Sequence, residues 1–242
     1  MVFKHGASAR VAWNQYDVSS YLRSAELSVG VEAADTTTFG NGWKTGIVGL
    51  GESSASFEGL YDPATQAHWR DQLGVSSGVL TYAPSGWAAI GDPARLLLGT
   101  STSYVESSPV GDVVSFAWEV MSEDHFAGGQ VLWPFSEVTN TAVGASKDDT
   151  SATATGWTMH LHVSLVDGGS WGIKLQDSAN NSDWNDVSGG EFTAVTTVTS
   201  QRLTAASAIA DLRRYVRFAA TRTGGTAGDG ITFLLAYSRT TG

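Results

Sequence analysis

Residues 24–33 read S-A-E-L-S-V-G-V-E-A. Ala25, Leu27, Val29 and Val31 fall on one side of a period of two, and Ser24, Glu26, Ser28, Gly30 and Glu32 on the other. That period is a β-strand with one buried face, because successive side chains of an extended chain point to opposite sides. The pattern returns at 52–60, where Glu52, Ser54, Ser56 and Glu58 oppose Ala55 and Phe57. It returns again at 112–121, where Val114, Phe116, Trp118 and Val120 oppose Ser115, Ala117 and Glu119. Residues 79–83 form a further strand. Three half-buried strands with glutamate and serine on the outer side predict an antiparallel sheet with one acidic face.

Outward from this core the composition agrees. Glycine, serine, threonine, valine and aromatic residues are plentiful, and the strong helix formers are sparse, so the chain reads as mainly β. One helix is expected at 63–73: Asp62 suits the cap, Pro63 the first helical position, and Gly74 the stop, with Ala64, Ala67, His68 and Leu73 as its apolar stripe. Residues 35–50 show no period and read as a long loop carrying Phe39, Trp43, Ile47 and Leu50. Apolar side chains on a loop need a surface to bury against, which suggests an intermolecular contact. Residues 136–156 turn polar and read as a linker or surface loop. Beyond them, short strands recur at 157–166, 171–177, 192–198, 201–205, 215–223 and 231–238, with turns at 167–169 and 223–225 and one helical turn possible in 206–214. Regular short strands of this kind are a sandwich or jelly-roll signal. The expected division is therefore a domain over 1–135, the linker 136–156, and a C-terminal β-sandwich over 157–242.

Composition also excludes. The 242 residues carry a formal net charge of -10. Residues 1–130 hold 14 acids and 6 bases, and residues 131–242 hold 10 acids and 8 bases, so the acidity sits in the first half. A protein that grips DNA needs clustered lysine and arginine, so nonspecific DNA binding is disfavoured. With Cys 0, disulfides, thiol catalysis and cysteine-ligated metals are ruled out. No stretch approaches the roughly 20 apolar residues of a membrane helix. Residues 1–6 hold no apolar run suited to a secretory signal, so synthesis in a cytoplasm and no membrane association are expected.

Candidate chemistry is thin. His160 and His162 share one face of a strand, and a metal pair is weighed against a solvated or core-edge pair. Glu26, Glu32, Glu52 and Glu58 supply carboxylates for a glycosidase pair, but one acidic face repeated on neighbouring strands is the better reading of them. Residues 177–183 resemble a calcium loop without its spacing or closing glutamate, and read better as a turn with Trp184 packed under it. Arg213, Arg214 and Arg217 form a basic cluster suited to salt bridges with an acidic neighbouring subunit. Nucleotide and nucleophile-elbow motifs are absent. No catalytic, metal or cofactor site is assigned.

One stretch resembles a known family. D-T-T-T-F-G-N-G-W-K at 35–44, followed by I-V-G-L at 47–50 and a strand ending E-G-L-Y-D at 58–62, is similar to the loop and strand of major tail (tail tube) proteins of tailed phages of the siphophage type. Leu60 stands where that family usually has phenylalanine. The resemblance covers about residues 10–130, and W-G-I-K-L-Q-D-S-A-N-N-S-D-W at 171–184 is similar, more weakly, to the C-terminal portion of some of these proteins. It implies a tail-tube-type β-sandwich or barrel with one flanking helix, and a structural, non-enzymatic virion protein of the tail, assembled in the host cytoplasm. It further implies homo-oligomeric rings of six copies, or of three pseudo-sixfold copies, stacked into a tube for DNA ejection. Tape measure and tail terminator proteins would be partners, and DNA would pass without specific binding. Glu26, Glu32, Glu52, Glu58 and Glu119 would then face the lumen, and Phe39, Trp43, Ile47 and Leu50 would contact the adjacent ring. The competing reading is a carbohydrate-binding jelly roll, with exposed Trp171 and Trp184 stacking on sugar rings.

Overall fold

The computed structural model describes residues 5–39, 42–205 and 211–240. The chain is mainly β, in antiparallel sheets, as the strand periodicity predicts. In order the strands are β1 (Arg10–Trp13), β2 (Tyr16–Asp17), β3 (Leu22–Asp35), β4 (Gly46–Leu60), β5 (Gly78–Ala83), β6 (Pro93–Ser107), β7 (Ser115–Ser122) and β8 (Ala127–Val138). There follow β9 (Ala142–Val143), β10 (Lys147–Asp148), β11 (Trp157–Val166), β12 (Ser170–Ser178), β13 (Asn185–Glu191), β14 (Thr199–Ala205), β15 (Tyr215–Thr223) and β16 (Ile231–Ser238). Among the described residues no helix is long and apolar enough to cross a membrane.

Two compact units result, and they do not follow the linear division at 135 and 156. The first comprises Met1–Ser20, Ser77–Leu98 and Phe126–Gly242, and the second Tyr21–Ser76 and Gly99–His125. The expected boundary at 135 falls inside β8, which pairs with β16 near the other end of the chain. The expected linker supplies β9 and β10, both paired to β15. The helical turn expected at 206–214 lies partly outside the described residues, and 211–214 are irregular.

In the first unit one sheet runs β14-β11-β16-β8, then the start of β6, then β5-β1-β2. A second runs β10-β15-β12-β13. Trp157, Leu161 and Phe233 of the first sheet pack with Trp171, Ile173 and Phe218 of the second in one sandwich core. A further cluster, including Trp87, Leu96, Val131 and Leu234, fills the other side of β8 and β16. Both faces of these central strands are therefore buried, which erases the alternation a half-buried strand would show.

In the second unit β3-β4-β7 and the end of β6 form a four-stranded antiparallel sheet. A helical segment covers part of one face. It is built of α1 (Gln66–Trp69) between two single 3-10 turns, Pro63–Thr65 and Arg70–Gln72, and Asp62 caps it by accepting from the Ala64 amide at 2.9 Å. Its anchor is Trp69, which the expected stripe omits, whereas Leu73 of that stripe is 40% exposed. Trp69 meets Trp118 and Phe116 with ring centroids 5.0 and 4.7 Å apart, and Phe57 stacks on Trp118 at 4.7 Å. The Trp118 indole donates to Ser101 Oγ at 2.8 Å, so the buried ring leaves no orphaned donor.

Gly59 lies where β4 passes under this cluster. A Cβ there would meet the Tyr21 carbonyl oxygen, and the Phe116 ring at 2.6 Å. Gly59→Ala is expected to destabilise the second unit by about 1–3 kcal/mol, the range for overpacking a tight core. Urea unfolding followed by tryptophan fluorescence measures it; an unchanged midpoint would contradict the packing described.

Candidate assembly surface

The register of the second unit's sheet decides which side chains share a face. Cross-strand partners run Glu26↔Ser56↔Glu119↔Ser103, then Ser24↔Glu58↔Ala117↔Val105, then Ser28↔Ser54↔Met121↔Thr100, and Gly30↔Glu52. Directly paired residues point to the same side. Glu26, Glu52, Glu58 and Glu119 thus lie together on one face, and strand alternation carries Glu32 to that side opposite Gly49, next to a bulge. All five are exposed. The other face holds Ala55, Phe57, Phe116, Trp118 and Val120, all at most 2% exposed. A depression of about 370 Å³ on the acidic face is lined by Ser28, Gly30, Glu52, Ser54, Thr102 and Glu119 among others.

Charge is sorted by unit more sharply than by half. The second unit holds 12 acids and 3 bases (Arg23, Lys44 and Arg70), and the first holds 12 acids and 11 bases. Its four strands carry one base, Arg23, at the end of the sheet away from the hairpin tip. A surface of this sign repels a polyanion.

Beyond Ser54, β4 loses its partner β7 and continues with β3 alone as a two-stranded hairpin. The hairpin is longer than the loop expected at 35–50: pairing holds to Asp35↔Gly46, so Ile47 and Leu50 stand on β4, while Phe39 and Trp43 stand in the connecting loop. Gly40 and Asn41 of the quoted motif lie outside the described residues. The threonines of that motif close the loop base. The Thr36 amide donates to the Thr45 carbonyl at 2.8 Å, and the Thr45 amide to Thr37 Oγ1 at 3.0 Å. The Thr37 amide donates to Asp35 Oδ1 at 2.8 Å, and the bonds from Thr37 hold the Asp35 carboxyl below the usual carboxylate range.

An isolated two-stranded hairpin is marginal in water. This one also exposes apolar bulk: Phe39, Trp43, Ile47, Val48 and Leu50, with Trp43 88% and Leu50 81% exposed. Among the described residues, every exposed large hydrophobic side chain except Val143, Leu165 and Val198 belongs to the second unit. Scattered exposed apolar residues are ordinary, but concentration on one protruding element marks a contact surface.

The remaining sequence candidates resolve differently. His160 and His162 do share a face of β11, but both are fully buried rather than solvated. The basic cluster is answered within the chain. Arg214 makes two bonds of 2.7 Å to the Asp148 carboxylate and holds it down to about 2. Arg213 lies 3.9 Å from Asp177, and Arg217 stacks over the Trp184 ring at 4.1 Å and donates to Gln176. Trp171 is fully buried in the sandwich core, so it offers no stacking face to a sugar, while Trp184 is half-buried with Arg217 over one side of its ring; the pair of exposed tryptophans that the carbohydrate reading requires is not there. In the stretch 177–183, Asp177 and Ser178 end β12 and residues 179–183 turn, with Asn180 Oδ1 accepting from the Ser182 and Asp183 amides at 3.0 and 2.9 Å.

No protein-family model matches the chain, and none of the curated proteins does. Among solved structures it is similar to a chain of the virion of a native gene transfer agent particle, with 14% identity over 52% of this chain and 98% of that one, and a TM-score of 0.41. It is also similar to the SPP1 Dit protein, described as a paradigm of the hub adsorption apparatus of phages infecting Gram-positive bacteria. That match has 11% identity over 95% of this chain and 98% of that one, with a TM-score of 0.35. A third similar chain belongs to the phage p2 baseplate in its activated conformation, with 9% identity over 94% of this chain and 97% of that one, and a TM-score of 0.33. By their descriptions these neighbours are parts of virion, hub or baseplate assemblies.

Proposed function

We propose that the chain is a non-enzymatic structural subunit of a phage-type tail, which assembles into rings around a channel for DNA. One observation carries the reading: a single unit joins an exposed sheet face of five glutamates to a protruding, apolar, two-stranded hairpin. The outer strands of that sheet are β3 and the end of β6. Pairing β3 of one copy with β6 of the next removes the edges and closes a ring whose sheet is continuous. Each chain supplies one such sheet, which favours six copies over three pseudo-sixfold copies in the arrangement the family resemblance implies. With Glu26, Glu32, Glu52, Glu58 and Glu119 toward the channel, a passing duplex meets mostly like charge, and Arg23, beside Glu58, is the one base on the sheet's strands. The hairpin, with Phe39, Trp43, Ile47 and Leu50, reaches the adjacent ring. That contact is heterologous and extends as an open stack until another tail protein caps it.

The lumen assignment is tested by charge reversal. Glu52→Lys with Glu119→Lys is expected to leave the fold unchanged, because both side chains are exposed, and to make assembled particles retain duplex DNA at low salt. Retention should fall steeply as salt rises, since binding through phosphates follows counterion release. Wild-type particles should retain none. Salt-sensitive DNA binding by the wild type, or no change on reversal, would contradict an acidic channel.

A further inference from the structure

The two buried histidines of the first unit do not act in the proposed assembly, and their hydrogen bonds fix where every proton sits. His162 Nδ1 lies 2.6 Å from the Asn14 carbonyl oxygen. A carbonyl only accepts, so Nδ1 carries the hydrogen. The other nitrogen of a neutral His162, Nε2, is then a lone pair, and it lies 2.8 Å from Thr81 Oγ1, which must donate to it. The Thr81 hydroxyl has one hydrogen, now used. Its second neighbour, His160 Nδ1 at 3.2 Å, must therefore be the donor. His160 Nε2 is left as a buried lone pair with no hydrogen-bond partner. The order is a one-way relay: His160 to Thr81, Thr81 to His162, and His162 to Asn14.

Among the described residues of the elements packed on β11, the one acid is Asp17 of β2, which is exposed and bonded to Ser19. On β14, Arg202 pairs in register with His160 and Ser200 with His162. On β16 the partners are Ala236 and Leu234, and β5 brings Leu80 and Thr81. Asn14 is tied to Val79 by two bonds, of 2.8 and 2.9 Å, and is neutral. Burial, then His162 and Arg202, disfavour a proton on His160, and the Leu80 carbonyl, which favours one, offsets them only in part.

We propose that this relay is an acid-released latch that fastens β11 to β5 and to the Asn14 turn while both rings are neutral, and that protonating either ring opens the first unit. A proton on His162 Nε2 leaves Thr81 facing two donors, with no acceptor for its own hydrogen. A proton on His160 Nε2 creates a fully buried cation that only the neutral Leu80 carbonyl helps to hold. Burial pushes both rings below the usual imidazole range, His162 to about 4 and His160 well below. Because the folded values lie below the unfolded one, near 6.5, this stability is complete above that pH. It is lost as pH falls from there toward 4 for His162, and further down for His160. Each ring lowers the folded-to-unfolded ratio about tenfold per pH unit across its window, so the pair lowers it about a hundredfold.

The test is long-range proton–nitrogen NMR on the intact ¹⁵N-labelled protein from pH 7 to 5, combined with urea unfolding over the same range. Both rings are expected as the Nδ1–H form with an unprotonated Nε2 throughout. His160→Phe is expected to unfold with a pH dependence shallower by about tenfold per unit than wild type. An Nε2–H ring or a cationic ring at pH 6 overturns the proposal, and so does a His160→Phe slope equal to wild type. Should that variant not fold, the wild-type spectrum decides alone. The test involves only the first unit, so either result leaves the assembly reading untouched.

Discussion

Replacing Arg239 with alanine is expected to destabilise the first unit by about 3–5 kcal/mol, the cost of breaking one side of a buried ion pair. Arg239 Nε lies 2.5 Å from Asp149 Oδ2, with side-chain exposures of 13% and 5%. The carboxylate is also held by the Tyr237 hydroxyl at 2.7 Å and by Gln130 Nε2 at 2.6 Å, and Lys147 stands 3.8 Å away. The guanidinium in turn donates to the carbonyls of Leu212, Arg213 and Arg214 and to Thr153 Oγ1. One side chain near the end of β16 thus closes the segments at 147–153 and 212–214. Burial and the neighbouring Asp149 charge hold the Tyr237 phenol above its usual range, so it stays a donor. Arg239→Ala leaves an under-compensated carboxylate and three carbonyls with lost donors. Arg239→Lys keeps the charge but not the planar fork, and should recover only part of the loss. Urea unfolding measures both; a loss below about 1 kcal/mol for Arg239→Ala would mean that the pair behaves like a surface bridge.

Trp43→Asp combined with Leu50→Asp is expected to abolish assembly while leaving the subunit folded. Both side chains are more than four-fifths exposed in the single chain, so the fold loses little. Across an interface each would bury apolar area worth about 1.5–3 kcal/mol. Removing two, and adding charges to the same contact, raises the concentration needed for assembly by roughly a hundredfold to ten-thousandfold. Sedimentation velocity against concentration, with circular dichroism as the fold control, reads both halves. Assembly at the wild-type concentration would exclude the hairpin from the contact.

Much of the second unit is legible in the sequence, and the reason is physical. β4 and β7 bury one face, so the alternations at 52–58 and 114–121 state both the strand and the side; at 24–33 the alternation gives the strand, but Ala25 and Leu27 are only half-buried and Val29 and Val31 are exposed, and the register then brings the glutamates together. β6 is not legible in the same way. Its first part, P-A-R-L-L-L, belongs to the first unit and its Ser- and Thr-rich remainder to the second, so no single period spans it. The division into units is hidden because it rests on pairings between distant segments, Arg10 with Ala83 and Gln130 with Tyr237. The same distance hides the partners of the polar candidates. His162 is answered by Asn14 and Thr81, and Arg214 by Asp148, so residues that read as solvated or intermolecular are satisfied inside the fold. Trp171 misleads for a related reason: its neighbours in sequence are polar or small, while its packing partners lie on other strands.

The central claim is that copies of this chain close into rings through the second unit's sheet. Electron microscopy of the purified protein across a concentration series, with light scattering on the same samples, tests it most directly. Annular particles or stacked tubes are predicted, with a central channel at least as wide as duplex DNA, about 20 Å, the scale set by its grooves. A particle that stays monomeric at every concentration, or closes into a compact dimer without a channel, would contradict it.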